Sequence, residues 1–246
     1  MRFIPTTALA TLAIGSSALA TLDAQSRGHL STASPAVPTA IIDYSELLDS
    51  SCSQATNHPL DAELVAHVKA MLPSYRAQWA TRGPVLLRAE TEIAGQPFTY
   101  HEEFPAIITC GIPSMSFPLV LNAHLIRAGR DAAGTEAGEM TNFVNVLWHE
   151  MSHRFVHDIR DRYPDRMTPL LAKYSAEPPA VLSHLHLYAI EQLVYRKLGL
   201  QQDLDLVRTV QKKARNATVT ARALEIVAKE TPEAFVRELR TAPAQR

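Results

Sequence analysis

The sequence is poor in cysteine, with only two, and holds just nine glycines. Two cysteines cannot build a Cys-rich zinc scaffold, and they do not form a Cys-x-x-Cys redox pair. The glycines compose neither a dinucleotide fingerprint nor a Gly-x-Ser-x-Gly elbow. The glycine-containing stretch 129–138 lacks the Gly-Lys-Ser/Thr ending of a phosphate cradle. Neither charge sign prevails, since 24 Lys and Arg stand against 25 Asp and Glu. That balance argues against nucleic acid as a partner. Past residue 20 no apolar run is long enough to span a bilayer.

The N-terminus has the composition of a targeting segment. Arg2 precedes an uncharged stretch from Phe3 to Ala20 that ends Ala18-Leu19-Ala20, a small-x-small cleavage pattern. The expectation is a signal peptide over 1–20 and an exported protein, periplasmic or extracellular. Residues 21–40, rich in Ser, Thr, Ala and Pro, read as a flexible leader. In an oxidising compartment Cys52 and Cys110 are expected to close a disulfide, the alternative being two buried thiols.

Residues 41–246 read as one α+β domain, mixed over 41–140 and all-helical over 141–246. Apolar spacing at Leu64, Val65, Val68 and Leu72 predicts a helix over 61–80, with a break at Pro73. Residues 85–87, 98–100 and 107–109 read as short strands, and the apolar run 117–125 as another. Residues 129–138 read as a small-residue loop. Helices are expected over 142–161 and 181–198, with two or three more before the C-terminus. The basic residues after Leu198 (Arg208, Lys212, Lys213, Arg215, Arg222) are expected on a solvated helix face.

The chemistry-bearing pattern is His149-Glu150-Met151-Ser152-His153. At about 100° per residue, the two histidines lie about 40° apart and one turn along a helix. Both imidazoles therefore reach one zinc ion, and Glu150 beside them is placed to take a proton from a water. Val144, Trp148, Met151, Phe155 and Ile159 gather on the opposite, core-facing side. His157 lies two turns from His149, too far to share the ion.

Catalytic zinc takes a third protein ligand. On the following helix His184, Tyr188 and Glu191 share an otherwise apolar face, and either His184 or Glu191 fits, with Asp158 and Asp161 as further candidates. The residue that is not a ligand, or Tyr188, is placed to hydrogen-bond the developing oxyanion. Asp158, Asp161, Asp165 and Glu177 are candidates for orienting the ligand histidines.

The segment Val146-Leu147-Trp148-His149-Glu150-Met151-Ser152-His153 resembles the active-site helix of the zincin metallopeptidases. The resemblance implies zinc on His149 and His153, Glu150 as general base and a peptide or protein substrate. It also implies a substrate-binding strand, for which 117–121 is the candidate. A third ligand on a later helix is similar to the gluzincins, although Tyr195 occupies their Asp position. Val156 and Ile159 stand where metzincins have glycine and a third histidine, and Arg154 where zincins favour an uncharged residue. The chain is also similar to uncharacterised exported bacterial HExxH proteins whose later helix opens on Ser-, Thr- or Asn-His, here Ser183-His184, which favours His184. Two other functions compete: a zinc hydrolase acting on a non-peptide amide or ester, and a non-catalytic exported protein with a structural metal or none.

Overall fold

The computed structural model describes residues 36–164 and 168–240. The expected signal peptide, nearly all of the leader and Asp165 lie outside the described residues. The first described elements are β1 (Thr39–Ala40) and β2 (Asp43–Tyr44), which lead into α1 (Glu46–Thr56).

Next comes one long helix, α2 (Ala62–Ala94), capped by the Asp61 carboxylate on the amides of Glu63 and Leu64. It passes through Pro73 and Pro84, so neither the expected break nor the expected strand over 85–87 occurs. The reason lies in the spacing of its buried residues, Gly83, Leu86, Leu87, Glu90, Ile93 and Ala94. They recur at helical intervals and give this half of α2 a face to bury, while Val85 stays exposed.

Four short strands follow: β3 (Glu102–Glu103), β4 (Ala106–Ile108), β5 (Met115–Ser116) and β6 (Leu119–Asn122). Residues 98–100 precede β3 and are not a strand. β1 pairs with β3 in parallel, and the larger sheet has the order β2-β4-β6-β5, with only β5 antiparallel. β4 realises the strand expected near 107. Beyond it, the Cys52–Cys110 disulfide ties the chain to α1, with Cα atoms 5.9 Å apart.

The apolar run after Phe117 is part strand and part helix, because Asn122 caps α3 (Ala123–Ala133). α3 runs straight into the stretch expected as a loop, and α4 (Glu136–Arg162) begins after only Gly134 and Thr135. Gly129 and Gly138 serve the crossing of these two helices. A Cβ built on Gly129 would lie 2.4 Å from the Gly138 carbonyl oxygen. Asn142 completes the join by donating to the carbonyls of Leu125 and Ile126.

The remaining helices are α5 (Thr168–Lys173), α6 (Pro179–Leu198), α7 (Gln201–Gln211), α8 (Ala217–Glu230) and α9 (Pro232–Arg240). The fold is therefore α+β, with its strands confined to the N-terminal half. α4 is the central element, buried through Phe143, Leu147, Trp148, Met151, Phe155 and Ile159. Among the described residues no helix is long and apolar enough to cross a membrane.

Candidate metal centre

Along α4, His149 and His153 sit one turn apart, with ring centroids separated by 4.8 Å. α6 packs against α4 and brings the ring of His184 to 4.6 Å from His153 and 5.4 Å from His149. One nitrogen of each ring lies within 4.8 Å of the other two. Among the described residues, these are the only three His, Cys, Asp or Glu side chains so grouped.

Two hydrogen bonds turn the rings. The Glu191 carboxylate faces Nδ1 of His149 at 2.7 Å, and the Ala180 carbonyl faces Nδ1 of His184 at 2.6 Å. An Nδ1–H that donates in this way leaves Nε2 with its lone pair, the form that binds a metal. Burial and the neighbouring His149 hold His184 down to about 4. Burial, with the charges of His149, His184 and Arg160, keeps His153 well below the usual imidazole range. Burial acts in the same direction on His149, but the Glu191 carboxylate outweighs it and the ring sits above its ordinary value.

Glu150 is nearly buried, and the Ser116 hydroxyl donates to its Oε2 at 2.7 Å. Burial raises its carboxyl above the usual carboxylate range, against the His149 charge and the Ser116 hydrogen bond. Two adjoining cavities of about 320 and 390 Å³ share His149, Glu150, Ser114 and Asn216 as lining. β5 forms a wall of the first, and Leu125, Ala128, Val146 and Val210 give the second an apolar lining.

Several sequence expectations change here. Glu191 is not among the three grouped side chains; it is fully buried and lies behind His149 as its hydrogen-bond partner. The helical face it shares with His184 spans two turns: the first sets a nitrogen of His184 beside those of His149 and His153, and the second meets His149 only at Nδ1. Tyr188 stacks its ring 5.2 Å from His184, while its hydroxyl is engaged with Thr220 at 3.1 Å. Asp158 binds Thr99 and Arg162, Asp161 binds His157, and Glu177 binds Arg222, and none of these contacts is to His149, His153 or His184.

The strand beside the cleft is also different. β6 lies inside the sheet, and the edge strand that lines the first cavity is β5, at Met115 and Ser116. Arg208 is not on a solvated face; it lies over the Tyr188 ring at 5.0 Å and 4.0 Å from Glu191.

Sequence reasoning missed Ser116 and Arg160. Ser116 reaches Glu150 from a different element, so no local spacing announces it. Arg160 carried a signal: eleven residues after His149, it returns to within about 20° of it around the helix. In comparisons with known proteins, no family model, curated protein or solved structure matches this chain.

Proposed function

We propose that this chain is a zinc-dependent hydrolase of the HExxH type acting on peptide bonds, with His149, His153 and His184 as ligands and Glu150 as general base. The observation that carries the reading is the approach of His184 from α6 to the His149–His153 pair beside Glu150. Three imidazoles suit zinc and leave a coordination position for water, and the low pKa values of His153 and His184 keep both in the neutral form a metal needs. Zinc in such a site polarises a carbonyl and acidifies a water.

The chain's own residues supply the proton handling. Glu150 lines both cavities, and Ser116 engages only its Oε2, so Oε1 is available to receive the proton of the attacking water. A carboxyl above its ordinary range holds that proton long enough to pass it to the leaving amine. Ser116 fixes the carboxylate, and Glu191 fixes His149 from the side away from the cleft. The edge strand β5 offers backbone groups to an extended peptide, which favours a peptide over a small ester. The ligand set differs from the gluzincin pattern, with a histidine in place of the later glutamate. The Cys52–Cys110 disulfide supports an oxidising compartment outside the cytoplasm.

Metal analysis of three proteins tests the reading. The wild type should hold stoichiometric zinc, and His184→Ala should lose it. Glu150→Gln should retain zinc while peptide hydrolysis falls about 10²- to 10⁴-fold. Full zinc in His184→Ala, or full activity in Glu150→Gln, would overturn it.

A further inference from the structure

Arg160 is the cation of the cleft that the hydrolytic chemistry leaves unused. It lines the same cavity as His149, Glu150, His153 and His184. Its Nε is buried and has no hydrogen-bond partner among the described residues. The acidic residues nearest to it on α4 are engaged elsewhere, Asp158 with Thr99 and Arg162, and Asp161 with His157. Among the described residues, Glu150 is the only carboxylate lining either cavity, and Ser116 already binds it. The two other cations of the cleft wall, Lys213 and Arg215, add charge of the same sign.

A guanidinium stays charged at every physiological pH and presents a planar fork of donors matched to a carboxylate. Leaving a buried donor of this kind unmet is costly, and an anion entering the cleft supplies the acceptor. Position then limits where that anion sits. Arg160 lies about 10 Å beyond His153 along the helix axis, and helical side chains lean toward the N-terminus. That lean is toward the histidines, with which Arg160 lines one cavity. What remains is about one or two residues of extended peptide, at about 3.3 Å each.

We propose that Arg160 binds a substrate carboxylate one or two residues from the bond that is cleaved, so that the site selects anionic peptides over neutral ones. The proposal rests on the hydrolase reading above and adds the substrate class. A free C-terminal carboxylate and an Asp or Glu side chain present the same chemistry to Arg160.

The test measures binding rather than turnover. Calorimetry on the full chain in the Glu150→Gln background, both zinc-loaded and metal-free, uses two pairs of probes. The first pair is N-acetyl-tetraalanine with a free carboxylate and with a C-terminal amide. The second is an amidated N-acetyl-tetrapeptide carrying Glu or Gln at its second position. At least one acidic probe should bind about 10- to 100-fold more tightly than its neutral partner. Which pair shows the difference identifies the source of the carboxylate. Adding Arg160→Gln should erase the preference, and Arg160→Lys should restore part of it, with zinc content unchanged in both. A purely structural role would weaken acidic and neutral probes alike.

Equal binding of acid and neutral probes, or a preference that survives Arg160→Gln or is lost equally in Arg160→Lys, would overturn the proposal. The metal-free arm separates this from the hydrolase reading. A protein that takes up no zinc yet shows an Arg160-dependent preference refutes the hydrolase and keeps the anion site. Zinc uptake without that preference does the reverse.

Discussion

The Glu191 carboxylate holds Nδ1 of His149 at 2.7 Å from a fully buried position on the neighbouring helix. Its other oxygen lies 4.0 Å from Arg208, whose guanidinium covers the Tyr188 ring. A chain of contacts thus runs from α7 through α6 to the first histidine of α4. Each link restricts the next, so the imidazole enters the cleft in one orientation.

Replacing Glu191 by Gln keeps an acceptor for the Nδ1–H but removes the charge that raises the basicity of His149. Zinc affinity should fall about 10- to 100-fold, as it does when a carboxylate behind a ligand histidine is lost. Competition against a chelator of known affinity measures it, with circular dichroism confirming the fold. Affinity equal to the wild type would show that Glu191 has no influence on the metal centre.

Much of the site was legible in the sequence because it lies on one helix. The wheel of α4 placed His149 and His153 together and set them apart from the core-facing Trp148, Met151 and Phe155. The choice between His184 and Glu191 was not legible. Both lie on one face of α6, and only the crossing of α6 over α4 decides which turn meets the cluster. Ser116 was hidden for a related reason, since its partner is 34 residues away on another element. The errors in the fold came from glycine and proline. Pro73 suggests a break and 85–87 a strand, although Leu86, Leu87, Glu90 and Ile93 continue a helical face through Pro84. Gly129 and Gly138 were read as loop residues, whereas their lack of a side chain is what lets two helices touch.

That contact gives a prediction for stability. A methyl group at Gly129 would come within 2.4 Å of both Asn142 Cβ and the Gly138 carbonyl oxygen. Backbone cannot yield as a flexible side chain can, so α3 and α4 must separate. Gly129→Ala should cost about 1–3 kcal/mol from overpacking, despite the better helix propensity of alanine. Urea denaturation reads this as a lowered midpoint at constant slope. A variant as stable as the wild type would mean the helices do not meet as closely as described.

The disulfide closes a separation of 58 residues between α1 and the end of β4. Cross-linking a loop of that size restricts the unfolded chain, and the double replacement Cys52→Ala/Cys110→Ala should cost about 2–4 kcal/mol. Asp49 keeps the strand end attached through the amides of Thr109 and Cys110, each at 2.8 Å, so the native fold should survive the loss. Reductant should lower the urea midpoint of the wild type and leave the double variant unmoved. A wild type insensitive to reductant would show that the bond adds nothing to stability.

Glu90 provides a pH dependence with a definite sign. It is fully buried on α2 and accepts a hydrogen bond from Trp148 Nε1 at 2.8 Å, immediately before His149. Burial outweighs that hydrogen bond and pushes the carboxyl from 4.5 up to about 8. Below 4.5 the folded and unfolded chains both carry the proton. Between 4.5 and 8 the fold retains a proton that the unfolded chain releases, so raising the pH favours unfolding. Above 8 the fold loses the proton as well, and the penalty stops growing. Glu90→Gln keeps an acceptor for Trp148 and has no proton to lose. Its stability relative to the wild type should therefore rise between pH 5 and pH 8, by roughly a few kcal/mol. Denaturant titrations of both proteins at the two pH values measure the difference directly. Parallel changes in wild type and variant would show that Glu90 is not held protonated behind the histidine-bearing helix.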